Sequence, residues 1–173
     1  KVGWLTLQAG LAGGADVVLI PEIPYDIEKV VHAVEARNAR KKSFSIIAVA
    51  EGAMSLAEAA QRKKDRAPDP NRTVAHRVAE QIEQVAGLES RAVVPGHIQR
   101  GGSPSSYDRV LSTRFGVYAA DLIRNEQYGV TVAMKGDTVT SNPLNDVAGK
   151  TKSVPLDHQL IDTARKLGIV FGD

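Results

Sequence analysis

The sequence predicts an α/β fold built on a mostly parallel sheet, and two observations carry the prediction. Short apolar runs without polar alternation, Val17-Val18-Leu19-Ile20 and Ser45-Ile46-Ile47-Ala48-Val49-Ala50, suit strands covered on both faces. Between them a helical period takes over, so strand, helix and strand follow one another as a βαβ unit.

The elements follow in order. Each apolar run stops at a corner, Pro21-Glu22 after the first and Glu51-Gly52-Ala53 after the second. Asp26 suits a helix N-cap, with Ile27, Val30, Val31 and Val34 at three- and four-residue spacing and Glu28, Lys29, Glu35 and Arg37 off that stripe. A second amphipathic stretch runs from Thr73 to Ala86, and Ala92-Val93-Val94 reads as a third strand. Ser105-Ser106-Tyr107-Asp108 signals the start of a longer helix that reaches Asn125. Residues 130–134 and 138–140 read as extended pieces around Lys135-Gly136-Asp137, a tight-turn sequence that adds an antiparallel edge. A last helix is expected from Asp157 to Leu167. Residues 61–70, charged and holding Pro68 and Pro70, read as a mobile loop.

Composition narrows the function classes. A length of 173 residues with 43% hydrophobic and 24% charged side chains is that of one globular domain. The uncharged stretch Val2 to Ala15 is glycine-punctuated and short of the ~20 apolar residues a spanning helix needs, so no membrane span and no secretory signal are expected. The absence of cysteine removes disulfides, thiolate nucleophiles and thiolate metal sites, and makes a cytoplasmic location the default. A net charge of +2 with few aromatic residues supplies neither the field nor the stacking surface that nucleic acids need. His32, His76, His97 and His158 show no ligand-type spacing, so no metal site is expected on this chain.

In open α/β sheets ligands collect beyond the carboxyl ends of strands, which directs attention to the corners. The most informative is Pro95-Gly96-His97-Ile98-Gln99-Arg100-Gly101-Gly102-Ser103-Pro104. Its glycines let backbone N–H groups approach an anion, Arg100 can bond two phosphate oxygens at once, and His97 adds a directional donor. The plainer account is a chain turn with Arg100 in a salt bridge. Glu51, at a strand end, can accept hydrogen bonds from the hydroxyls of a sugar, although a carboxylate so placed more often caps a helix or sits in solvent. Gly149-Lys150-Thr151 resembles the tail of a phosphate-binding loop, but Leu144 stands where that loop requires glycine.

The residues Gly96-His97-Ile98-Gln99-Arg100-Gly101-Gly102-Ser103-Pro104, followed by Tyr107-Asp108-Arg109-Val110-Leu111, carry a resemblance. Together with Ala12-Gly13-Gly14-Ala15-Asp16, Ile20-Pro21-Glu22 and Ala50-Glu51-Gly52-Ala53, they resemble the carboxyl-terminal half of bacterial 6-phosphofructokinases, in the right order over nearly the whole chain. The resemblance implies a three-layer, Rossmann-like phosphofructokinase fold present as a partial chain. It implies phosphoryl transfer from Mg2+-ATP, or from pyrophosphate in related members, to the 1-hydroxyl of fructose 6-phosphate in glycolysis. Carried over by motif, Glu51 would bond the sugar hydroxyls, His97 and Arg100 would hold the 6-phosphate, and Arg91 would reach that phosphate in a neighbouring subunit of a dimer or tetramer. Without the resemblance Arg91 reads as an ordinary surface arginine.

The resemblance also places the family's glycine-rich nucleotide loop, its catalytic aspartate segment and its Met-Gly-Arg motif upstream of Lys1. No catalytic base is then expected on this chain, and the chain alone is expected to be inactive. Residues 1–99 and 148–173 would form the sugar-phosphate-binding lobe, and 100–147 would pack on the nucleotide-binding lobe, leaving an apolar face around Val110, Leu111, Phe115 and Ala119 exposed in this chain alone. Allosteric members bind an effector nucleotide between subunits. Gly14 and Asp16 match one part of that site, with Asp in place of the more usual Glu, and Arg40 and Lys42 match part of another, although a solvated basic loop also accounts for residues 37–42. The alternative to an enzyme fragment is a non-catalytic sugar-phosphate sensor.

Overall fold

The computed structural model describes residues 2–61 and 73–173, which divide into two compact units, 1–94 with 152–173 and 95–151. The stretch 62–70 of the expected loop lies outside the described residues.

In the first unit, β1 (Val17–Leu19) and β2 (Ile47–Val49) pair in parallel, Val17 opposite Ile47 and Leu19 opposite Val49. On the other side of β1, Val170 bridges Val17 in parallel, its N–H donating to the Asp16 carbonyl at 3.0 Å. Successive β1 residues face opposite ways, which explains the unalternated apolar run. Val18 joins one buried cluster with Leu7, Ile161 and Phe171, from α1 (Trp4–Ala12), α7 (Gln159–Lys166) and the chain after it. Val17 and Leu19 join another with Val30, Val31, Val78 and Ile82, from α2 (Ile27–Ala39) and α4 (Val74–Ala86). The unit is therefore three layers deep, helices on both faces of the sheet.

Two helix starts expected from the sequence carry side-chain caps. Asp26 accepts from the Glu28 N–H at the start of α2, and Thr73 accepts from the His76 N–H at the start of α4. Helix α1 escapes the sequence reading because Gly3 provides no side-chain cap; its N–H donates instead to both oxygens of Glu22, nineteen residues away, at 3.1 Å. Gly10 inside α1 permits the close approach to the sheet, since a Cβ there would lie 2.6 Å from Val18 Cγ2. The five-residue α3 (Leu56–Ala60) is also unforeseen.

One expected strand does not form. Ala92-Val93-Val94 makes no ladder, and Val93 is 83% exposed. A groove of about 260 Å³ is lined by Ile47 and Val49 of β2 and by residues 88–93, so the apolar run lies near a strand edge without pairing to it, and a strand exists only through its partner. The last helix starts two residues later than predicted, with His158 as its cap.

The second unit contains a 3-10 turn (Gly96–Arg100), α5 (Ser106–Arg124), an antiparallel hairpin of β3 (Val130–Lys135) and β4 (Thr138–Pro143), and α6 (Leu144–Val147). Gly136, at φ +60°, and Asp137 close the hairpin as the sequence predicts. Of the face predicted to be bare on α5, Val110 is exposed while Leu111, Phe115 and Ala119 are half-buried, because β3 and β4 pack against this helix.

Candidate functional site

The two strand-end carboxylates of the first unit have different surroundings. Glu22 takes N–H groups from Gly3 and, at 3.0 Å, from Val154, so it ties the starts of two segments together. Glu51 is exposed and makes no hydrogen bond or ion pair among the described residues. It sits at the tip of a turn closed by the Ala53 N–H donating to the Ala50 carbonyl at 3.0 Å, and the neighbouring Ala53 is buried. A free carboxylate held on a fixed backbone is an acceptor waiting for hydroxyl or N–H donors.

Beyond Glu51 the chain is anchored. The Tyr25 N–H donates to the Met54 carbonyl and the Leu56 N–H to the Tyr25 carbonyl, both at 2.9 Å. Ser55 caps α3 through a reciprocal box with Glu58, whose second oxygen takes the Arg77 guanidinium at 2.6 Å. The Tyr25 hydroxyl donates to Gln81 Oε1 at 3.2 Å. Burial pushes that hydroxyl above its ordinary pKa; the Glu58 charge adds to the rise and the Arg77 charge opposes it.

Arg91 is also exposed, with Nε and Nη2 both donating to Glu89 Oε1 at 3.0 and 2.7 Å. Of the four possible effector residues, Asp16 and Arg40 line one groove of about 940 Å³ along α2, and Gly14 and Lys42 lie outside its lining. The Asp16 carboxylate is already engaged, accepting from the Ile46 N–H at 2.9 Å and pairing with Arg37 at 2.9 Å. Gly14 adopts φ +69°, a value that favours glycine.

In the second unit, His97 and Arg100 lie on the 3-10 turn, both exposed and both without a hydrogen bond or ion pair among the described residues. Side chains three apart eclipse in this geometry, so the two leave the turn on the same side. Gly96 at φ +55° and Gly102 at φ +103° bracket them in backbone shapes that other residues rarely take, with open space where a Cβ would go. Past this corner Ser105 and Asp108 form a capping box that starts α5. The Ser105 side-chain and backbone donors hold the Asp108 carboxyl below its ordinary range. The salt bridge expected of Arg100 under the plainer account is not made among the described residues.

The first unit, a three-layer α/β unit, thus carries an unpaired acid at one strand end, and the second unit carries an exposed histidine and arginine on a glycine turn. The family profile described as Phosphofructokinase matches residues 1–123, and the chain belongs to that family. The "ATP-dependent 6-phosphofructokinase" of Spirochaeta thermophila is 50% identical over 181 residues, covering 100% of this chain and 48% of that protein. The "ATP-dependent 6-phosphofructokinase 3" of Bacteroides thetaiotaomicron is 44% identical, covering 99% and 47%. The chain thus spans about half the length of the curated relatives it matches. The crystal structure of a pyrophosphate-dependent phosphofructokinase from Marinobacter aquaeolei superposes with a TM-score of 0.69 over 98% of this chain and 42% of that one, at 22% identity, which supports the fold.

Proposed function

We propose that this chain is the phosphohexose-binding part of a cytoplasmic, homo-oligomeric 6-phosphofructokinase, which moves a phosphoryl group onto the 1-hydroxyl of fructose 6-phosphate. The observation that carries the reading is the free, same-sided His97 and Arg100 on a glycine turn in a chain of this family. Arg100 would grip two oxygens of the 6-phosphate as a fork and His97 would donate a third bond. Glu51 would accept hydrogen bonds from the sugar hydroxyls. The exposed Arg91–Glu89 pair is the weak kind that solvent screens, so Arg91 is easily drawn to a phosphate held by a neighbouring subunit. Asp16 and Arg40, with Gly14 and Lys42, are the proposed effector contacts.

ATP is the donor favoured by the names of the 50% and 44% identical relatives; the pyrophosphate-dependent neighbour stands at 22% identity. Magnesium would supply charge neutralisation at the transferred phosphoryl group. Among the described residues no three or more His, Asp or Glu side chains gather in one place. His97 and Arg100 would hold the phosphate end of the sugar ester. No helix among the described residues is long and apolar enough to cross a membrane.

Titration calorimetry with fructose 6-phosphate tests the reading. Arg100→Ala is expected to lose about 1.5–3 kcal/mol of binding, the range for hydrogen bonds to charged groups. Equal affinity in the variant and the parent protein overturns the assignment.

A further inference from the structure

Glu51 has no side-chain partner among the described residues, so its backbone alone sets the point and the Cα–Cβ direction from which its carboxylate reaches out. That backbone is the turn at 50–53, and the turn continues into a segment held twice by α4. One tie is Arg77 Nη1 to Glu58 Oε1 at 2.6 Å; the other oxygen of Glu58 takes both the N–H (2.9 Å) and the hydroxyl (3.2 Å) of Ser55. The second tie is the Tyr25 hydroxyl to Gln81, one helical turn beyond Arg77, and the Tyr25 backbone bonds to Met54 and Leu56 on both sides of Ser55. Ser55 is therefore held by Glu58 through both its N–H and its hydroxyl, and its neighbours Met54 and Leu56 are held by the Tyr25 backbone.

We propose that Arg77 is a positioning residue for Glu51: by holding Glu58 it helps to fix Ser55 and, through the short stretch 52–54, the backbone from which the Glu51 carboxylate projects. This rests on the reading that Glu51 bonds the hydroxyls of the sugar. The Arg77–Glu58 pair is about one-third exposed on each side, 37% and 38%, so screening leaves it little weight in global stability. Its contribution is geometric, because one guanidinium locks an acid that already serves as a helix cap.

The test is calorimetry on the protein with two probes, fructose 6-phosphate and inorganic phosphate, the second reporting the His97–Arg100 grip without any hydroxyl contact. Arg77→Met is expected to weaken the sugar phosphate about fivefold to tenfold, as coupled neighbours do, and to leave inorganic phosphate unchanged. Arg77→Lys is expected to restore most of the affinity, and the double variant Arg77→Met with Glu51→Gln to bind no worse than Glu51→Gln alone. A purely structural role would weaken both probes and add to the Glu51 effect. Glu58→Gln serves as the second variant should Arg77→Met fold poorly, with the same expected pattern. Unchanged sugar-phosphate binding in Arg77→Met, or full additivity with Glu51→Gln, overturns the proposal while leaving the function intact. Unchanged binding in Glu51→Gln itself overturns both the role of Glu51 and the role of Arg77.

Discussion

In the first unit both faces of the β1–β2 sheet are covered, and every buried hydrophobic side chain among the described residues except Leu122 lies there. In the second unit α5 packs against one hairpin, and Tyr107, Val110, Val117, Ile123, Tyr128 and Leu144 stay exposed. Apolar residues are present in both, so composition does not separate them. Two layers of helix around a parallel sheet remove water from each strand residue in turn, whereas a two-stranded hairpin with a single helix leaves much of its apolar surface wet. The candidate groups divide along the same line: Glu51 and Arg91 belong to the well-packed unit, His97 and Arg100 to the sparsely packed one.

The largest difference between the two units should appear when one apolar side chain is truncated in each. Phe171 is fully buried, so Phe171→Ala should cost about 3–5 kcal/mol in denaturant unfolding, while Val110→Ala, 59% exposed, should stay within about 0.5 kcal/mol. Comparable losses would show that the second unit has a core of its own.

A smaller effect separates the two strand-end acids within the first unit. Glu22→Gln should lower stability by about 1.5–3 kcal/mol, because the Gly3 and Val154 N–H groups lose a charged acceptor. Glu51→Gln should leave the unfolding midpoint unchanged and act on ligand affinity alone. If Glu51→Gln proved the more destabilising, the assignment of a structural and a binding carboxylate would be reversed.

The smallest effect is in pH. The folded state holds the Tyr25 hydroxyl protonated above its ordinary value near 10.0, chiefly through burial. Above that value the unfolded chain has released a proton that the folded chain retains, so stability should be complete below pH 10 and decline as pH rises through the folded pKa. Tyr25→Phe should flatten the alkaline limb of a stability–pH curve, and an unchanged slope would remove Tyr25 as its source.

Much of this was legible in the chain, and the reasons are local. Asp26, Thr73 and the Ser105–Asp108 box mark helix starts because a cap bonds to N–H groups two or three residues on. Gly136-Asp137 closes its hairpin for an equally local reason, and the glycine corner at 96–102 was evident from residue type. Apart from α3, whose Ser55–Glu58 box is local, what could not be read depends on distant partners. Helix α1 is capped by Glu22, and the pairing of Val170 beside Val17 brings together ends of the chain. Ala92-Val93-Val94 has a strand's composition but no strand beside it. The Tyr25–Gln81 and Glu58–Arg77 ties span 56 and 19 residues and leave no periodic trace.

Periodicity and capping chemistry made β1, β2, α2, α4 and α5 readable from the chain alone, and residue type marked His97 and Arg100 as candidates for an anion. Only the tertiary structure decided which acid is used up and which is free: Glu22 and Glu51 follow similar strands in similar corners. Three backbone contacts to Gly3 and Val154 occupy the first, and nothing among the described residues occupies the second. The physical reason is that a carboxylate's availability depends on which donors the fold delivers to it, and those donors come from chain segments up to 132 residues away.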